Sequence, residues 1–220
     1  MRILIACECS GKVRDEFIKL GYDAISCDIL PTENPGPHYE GDLNDIINDG
    51  WDLMIGFPPC THLAVSGACW FPEKKKDGRQ QSAIDFFMLI ANAPIQHIAI
   101  ENPIGIMSNI WRKPDQIIHP YYYGDPVRKS TCLWLKNLPK LFHNKENDLF
   151  YESQYTIPDV VQYGNKTYSG PAGKWYRTKE ERSRERSRTY DGIAYAMATQ
   201  WSEYLNNQYQ SKNQPQWKKK

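Results

Sequence analysis

Apolar residues in the first half of the chain fall into short blocks separated by stretches of helical period. Arg2 to Ala6 is an apolar run ending in a turn of small residues, Cys9-Ser10-Gly11. Val13, Phe17, Ile18 and Leu20 then recur at helical spacing, and Gly21 supplies a C-terminal stop. Asp23 to Ile29 predicts the next strand, and Pro31 to Pro37 a loop. Asp52 to Phe57 predicts a buried strand that stops at Pro58-Pro59, because proline has no amide to give a ladder. A polar, lysine-containing loop follows, then a helix from about Gln80 to Asn92. His97 to Ile100 predicts a strand ended by Glu101-Asn102-Pro103, and Thr131 to Leu135 a later one. This alternation implies βαβ units: an α/β fold with a mostly parallel sheet and helices on both faces.

The pattern dissolves from Phe142 to Lys174 into polar sequence rich in Gly, Pro and Tyr, read as an irregular excursion and not a second domain. Helical spacing returns from Arg182 to Tyr204, through Ile193, Met197, Trp201 and Leu205. Residues 1–205 are therefore expected to form one domain, with 206–220 a polar, frayed tail.

At 220 residues there is room for one well-buried α/β domain. The formal charge of +1 gives no global basic field, so any nucleic-acid binding has to rest on local patches. No apolar run approaches the roughly 20 residues that span a bilayer, and no signal peptide is evident, so no membrane partner is expected. The six cysteines lack the dense framework of a secreted mini-protein, which favours a reducing cytoplasm. Cys7-x-Cys9 has no matching second pair at zinc-like spacing, so no metal site is expected.

Chemistry concentrates where strands end, the place where open parallel sheets bind ligands. Gly56-Phe57-Pro58-Pro59-Cys60 follows a buried strand, and its two prolines fix the turn that presents Cys60. A cysteine so placed is poised as a nucleophile, although the same residue also reads as a small, half-buried packing element. One strand later, Glu101 occupies the equivalent strand end in Ile100-Glu101-Asn102-Pro103, where a turn or capping role is the plainer alternative. Together they suit pyrimidine chemistry. A thiolate adds to C6 of cytosine, and a carboxyl group holding N3 and the exocyclic amine eases that addition.

On these residues the chain resembles the DNA cytosine-5 methyltransferases, and the compact phage-type members in particular. Pro58-Pro59-Cys60 is similar to the family's Pro-Pro-Cys motif, and Glu101-Asn102-Pro103 to its Glu-Asn-Val. Tyr123-Gly124-Asp125-Pro126-Val127-Arg128-Lys129 with the following strand is similar to its Gly-Val-Pro-Gln-x-Arg-x-Arg segment. Arg186 to Ala194 resembles the C-terminal motifs that close the cofactor side. The resemblance covers most of the chain in the family's order. It implies a Rossmann-like class I methyltransferase fold without a separate target-recognition domain. It implies S-adenosylmethionine as methyl donor, cytosine-containing DNA as substrate, Cys60 as nucleophile, Glu101 as its carboxyl partner, and Arg128 or Lys129 holding the target nucleotide.

The cofactor loop departs from Phe-x-Gly-x-Gly: it is Ala6-Cys7-Glu8-Cys9-Ser10-Gly11, with only Gly11 retained and Glu8 where a glycine is expected. The resemblance assigns Glu8, Ser10, Gly11 and Pro58 to the cofactor, with Glu8 meeting its amino group. Asp28 fits the acid that binds ribose hydroxyls, and Asp42 the acid at the adenine edge. Both also read as plain turn residues. Thr61 to Ala68 is expected to be flexible, of the kind that closes over a flipped base, and Trp70 to Lys76 offers aromatics and cations to a nucleic-acid strand or simply a solvated loop. Lys174 to Arg188 mixes both signs of charge, and Lys218-Lys219-Lys220 reads as a solubilising end. Without a recognition domain, low sequence specificity or a partner protein that supplies it is expected. RNA or a free nucleotide as substrate, and a non-catalytic binding module on the same fold, stay open alternatives.

Overall fold

The short aliphatic runs condense into a single sheet of seven strands. A computed structural model describes residues 1–143 and 188–213. Most of the 142–174 excursion, the mixed-charge stretch from Lys174 and the Lys218-Lys219-Lys220 end lie outside the described residues. The strands are β1 (Arg2–Ala6), β2 (Asp23–Asp28), β3 (His38–Glu40), β4 (Leu53–Gly56), β5 (His97–Pro103), β6 (Gln116–Ile118) and β7 (Thr131–Lys136). They lie in the order β3-β2-β1-β4-β5-β7-β6. The first five are mutually parallel, and β7 runs antiparallel to β5 and to β6. The helices are α1 (Lys12–Lys19), α2 (Phe71–Lys76), α3 (Arg79–Ala91), α4 (Met107–Ile110) and α5 (Asp191–Asn213).

Successive strand residues point to opposite faces, so a continuous apolar run must be covered twice. Ile3, Ile5, Leu53, Ile55 and Leu133 face Val13 and Phe17 of α1 and Ile193, Met197 and Trp201 of α5. Leu4, Ala6, Met54, Ile98, Ile100 and Trp134 face the other way, onto Phe87 and Ile90 of α3. The result is the expected mostly parallel α/β fold with helices on both faces of the sheet. β1 lies between β2 and β4, so the strand order reverses there. That reversal opens a crevice beyond the carboxyl ends of β1 and β4.

Several elements differ from expectation for local reasons. β5 does not end at Ile100. Antiparallel β7 supplies a ladder through Glu101, Asn102 and Pro103, pairing them with Leu133, Cys132 and Thr131. The lysine-containing loop folds into a 3-10 turn, Val65–Trp70, followed by α2. Its sequence Phe-Pro-Glu-Lys-Lys-Lys places proline and an acid in the first turn and cations in the last, as a helix dipole favours. α5 continues to Asn213, past the expected boundary at 205. β3, β6 and α4 lacked a clear periodic signal. Among the described residues no helix is long and apolar enough to cross a membrane, and no group of three or more His, Cys, Asp or Glu is arranged to hold a metal ion.

Candidate active site

The crevice is a cleft of about 830 Å³ at the carboxyl ends of β1, β2, β4 and β5. Its floor begins where β1 stops. Cys7 takes a left-handed conformation (φ 60°) and turns the chain out of the sheet. Gly11, also left-handed (φ 73°), starts α1 but has no side chain with which to cap it. Glu8 does this work: its Oε1 accepts hydrogen bonds from the Val13 amide and from Ser10 Oγ, both at 2.9 Å. Oε2 of this buried carboxyl group has no hydrogen-bond partner among the described residues. Burial raises the Glu8 pKa above its ordinary value, against the opposing pull of the Val13 and Ser10 bonds and the Arg14 charge.

Arg14, which the sequence reading passed over, is fully buried below this loop. Its Nη1 donates to Ser26 Oγ (3.0 Å), Thr32 Oγ1 (3.1 Å) and the Pro37 carbonyl (3.4 Å). Its Nη2 donates to the Asn34 carbonyl (3.0 Å), and its Nε to Asp15 Oδ1 (2.8 Å). One guanidinium thus ties the proline-rich loop to α1 and β2. It lies so close to Gly11 and Gly36 that a Cβ at either position would collide with it. A lone arginine on a predicted helix gives no sign of such a role.

Asp28 stands at the end of β2, with Oδ1 accepting from the Leu30 amide at 3.0 Å. Burial raises its pKa above the ordinary carboxylate value. Exposed Ile29 and Leu30 beside it give this part of the cleft an apolar wall. Asp42 sits elsewhere. It is exposed, and it caps the 3-10 turn Leu43–Asp45 by accepting from the Asn44 amide and Asn44 Nδ2. Those bonds lower its pKa, and it lies outside the cleft wall, as do Gly11 and Arg128.

The opposite end of the cleft is built from two loops. The Phe57 amide still bonds to the Ala6 carbonyl (2.9 Å), and then Pro58 and Pro59 peel the chain away from β5. Cys60 follows, half-buried, its carbonyl accepting from the Leu63 and Ala64 amides at 3.0 and 2.9 Å. β5 runs on as β4 departs, so Glu101 stands one residue beyond the last paired position, Gly56 with Ile100. Cys60 and Glu101 consequently line the same cleft, together with Pro58, Glu8, Ser10, Asp28 and Lys129. The Lys129 ammonium lies 5.6 Å from the ring centre of Tyr190. Arg128, next in sequence, is exposed to solvent.

Asn102 locks the two loops together. It is buried in β5, and its Nδ2 donates to the Pro58 carbonyl at 2.7 Å. The Val65 amide bonds to the Ile104 carbonyl and the Ile106 amide to the Leu63 carbonyl, both at 3.0 Å. Gly105 lies against Leu63 so closely that no side chain fits there. An Asn-Pro pair reads as a turn in sequence, which hid this role. Asn102→Ala is expected to cost about 1–2 kcal/mol through the unpaired buried carbonyl, measurable as a lower denaturant midpoint at unchanged slope.

A third wall comes from the segment before α5. Arg188 Nη2 pairs with Glu33 Oε2 at 2.5 Å, joining this segment to the proline-rich loop, and Thr189 lines the cleft beside it. The Gly192 amide donates to Asp125 Oδ2 (2.9 Å), and Lys12 pairs with Asp191 (2.7 Å). None of the six cysteines is in a disulfide. Burial, with nearby Asp28, pushes the Cys27 thiol up to about 11, and burial, with Glu101, does the same to Cys132. Cys7 is raised further still, again chiefly by burial. Burial thus disfavours the thiolate at all three.

Comparison with known proteins gives little beyond this geometry. No family model matches the chain, and no curated protein matches it. Among solved structures it is similar to an E. coli protein described as a candidate DNA modification methyltransferase encoded within a prophage. The two share 18% identity at a TM-score of 0.44, over 73% of this chain and 56% of the length of that one.

Proposed function

We propose that this protein is an S-adenosylmethionine-dependent methyltransferase acting on C5 of cytosine in DNA, with Cys60 as the nucleophile. The observation that carries the reading is the meeting of Cys60 and Glu101 in one cleft, at the ends of neighbouring parallel strands. A pure binding module has no use for that pair. The far end of the cleft fits the methyl donor. The unpartnered Glu8 Oε2 suits an ammonium group, Asp28 suits vicinal hydroxyls, and Ile29 and Leu30 offer an apolar wall to a flat ring.

Cytosine enters with C6 towards Cys60. The thiolate adds to C6, and the Glu101 carboxyl group hydrogen-bonds N3 and the exocyclic amine, holding a proton at N3 as density builds on the ring. S-adenosylmethionine, when bound, supplies an electrophilic methyl group for C5. Loss of the C5 proton to solvent then expels Cys60 and restores the aromatic ring. Lys129, which lines the same cleft, is assigned to the target phosphate in this reading. With a formal charge of +1 over 220 residues, DNA binding in this reading rests on local cationic groups and not on a global basic field.

The test is mass spectrometry of nucleosides from host DNA and RNA after expressing the wild type and Cys60→Ala. 5-Methylcytosine in DNA with the wild type alone supports the proposal. Its appearance in RNA moves the substrate, and no new nucleoside in either pool overturns polynucleotide methylation.

The cofactor half has its own test in Glu8→Gln. The amide oxygen keeps the bonds to Val13 and Ser10, while the unpartnered oxygen becomes a donor that repels an ammonium group. Affinity for S-adenosylmethionine, read by calorimetry, should fall about tenfold, the scale of one charge-assisted hydrogen bond. Stability should change with pH in a defined sense. Because the folded pKa of Glu8 is raised, the folded state binds more protons than the unfolded one above the ordinary value of 4.5. The wild type therefore loses stability as pH rises from there through the raised value, and Glu8→Gln lacks that slope.

A further inference from the structure

The sequence places Lys74 in a run of three lysines that would ordinarily be solvated, yet in the structure it is only 7% exposed. Its Nζ donates to the Thr61 carbonyl at 2.7 Å, one residue past Cys60. A Cβ on Gly67 would lie 3.3 Å from the same ammonium, so the segment from Thr61 to Gly67 wraps around it. The nearby acids are otherwise engaged. Arg79 pairs with Glu73 and binds Asp77, both at 2.7 Å. The next carbonyl, of His62, is held by Gln80 Nε2 at 3.2 Å. Two consecutive carbonyls behind the cysteine are thus anchored by side chains of α2 and α3. The ammonium also lies 6.0 Å from the centre of the Phe71 ring, and burying a charge is costly unless it is paired and hydrogen-bonded, so this bond to the loop is the main polar contact that holds Lys74 in place.

We propose that Lys74 is a positioning residue for the reaction: its ammonium latches the Thr61 carbonyl, and the latch holds the Cys60 turn and the 61–67 segment in the geometry of attack. In this reading the latch anchors the start of the Thr61 to Ala68 segment, the one expected to close over a flipped base. The inference rests on Cys60 being the nucleophile, but the latch itself is testable without any activity.

The experiment compares wild type, Lys74→Met and Lys74→Arg. Methionine keeps most of the apolar stem and loses only the charge and its donors. Amide hydrogen exchange at Leu63, Ala64 and Val65 should speed up about tenfold in Lys74→Met, while β4 and β5 stay protected. The single-turnover methyl-transfer rate should fall by a similar factor with S-adenosylmethionine affinity within twofold of wild type. Lys74→Arg should recover most of both, since it restores a charged donor. Loop protection unchanged in Lys74→Met overturns the proposal. So does loss spread evenly through β4 and β5, which marks a packing defect, or lost protection with an unchanged rate. If the wild type transfers no methyl group, the exchange measurement still decides the latch, and only the functional reading fails.

Discussion

Cys60→Ala is expected to abolish methyl transfer, a fall on the order of 10⁴-fold or more as when a covalent nucleophile is removed elsewhere. The loss should be confined to chemistry. The Cys60 carbonyl, not its side chain, makes the turn bonds to Leu63 and Ala64, and the residue is only half-buried. The variant should therefore unfold within about 1 kcal/mol of wild type and bind S-adenosylmethionine normally. A DNA oligonucleotide carrying fluorine at C5 of cytosine gives the positive control. The C5 proton that normally leaves is replaced by fluorine, which does not, so wild type should remain covalently attached and Cys60→Ala should not. Methylation by wild type without any trapped adduct would mean that the thiol is not the attacking group.

Arg14→Met is expected to have the largest effect on stability, about 3 kcal/mol. The guanidinium reaches Ser26, Thr32, Asn34, Pro37 and Asp15 together. Removing it takes away five charge-assisted hydrogen bonds, of which the one to Ser26 reaches a fully buried acceptor, and bonds to a charged group contribute roughly 1.5–3 kcal/mol each before relaxation. The damage should reach the cofactor end of the cleft, because the loop bearing Glu33 is held from below by Arg14 and above by Arg188. Urea denaturation with and without S-adenosylmethionine separates the two consequences. Stabilisation by the cofactor should shrink as well as the baseline. A variant as stable as wild type would show that the loop finds other donors.

Much of the architecture was legible because a doubly covered strand must be apolar throughout, and Ile3 to Ala6, Leu53 to Ile55 and Ile98 to Ile100 are such runs. Cys60 and Glu101 were legible for a related reason. Prolines and a carboxylate break the apolar pattern where strands end, and the topology then brings those ends together. What stayed hidden depends on contacts far along the chain. Nothing near Asn102 announces that it reaches Pro58, and nothing in Lys74-Lys75-Lys76 distinguishes the buried lysine from its exposed neighbours. β5 outran its predicted end because β7 was there to pair with it. The helical start at Phe71 was readable from its proline, acid and basic end, a signal overshadowed by the charge of the run.

The packing of α5 on α1 and the sheet sets an order on biosynthesis. Ile193, Met197 and Trp201 cover the same apolar face as Val13 and Phe17. At roughly 5–20 residues per second, that face waits on the order of 10–35 seconds for its last helix to leave the ribosome. Until then that strip of sheet lacks its last cover, and exposed apolar surface of this kind makes a nascent chain more prone to aggregate than the finished fold.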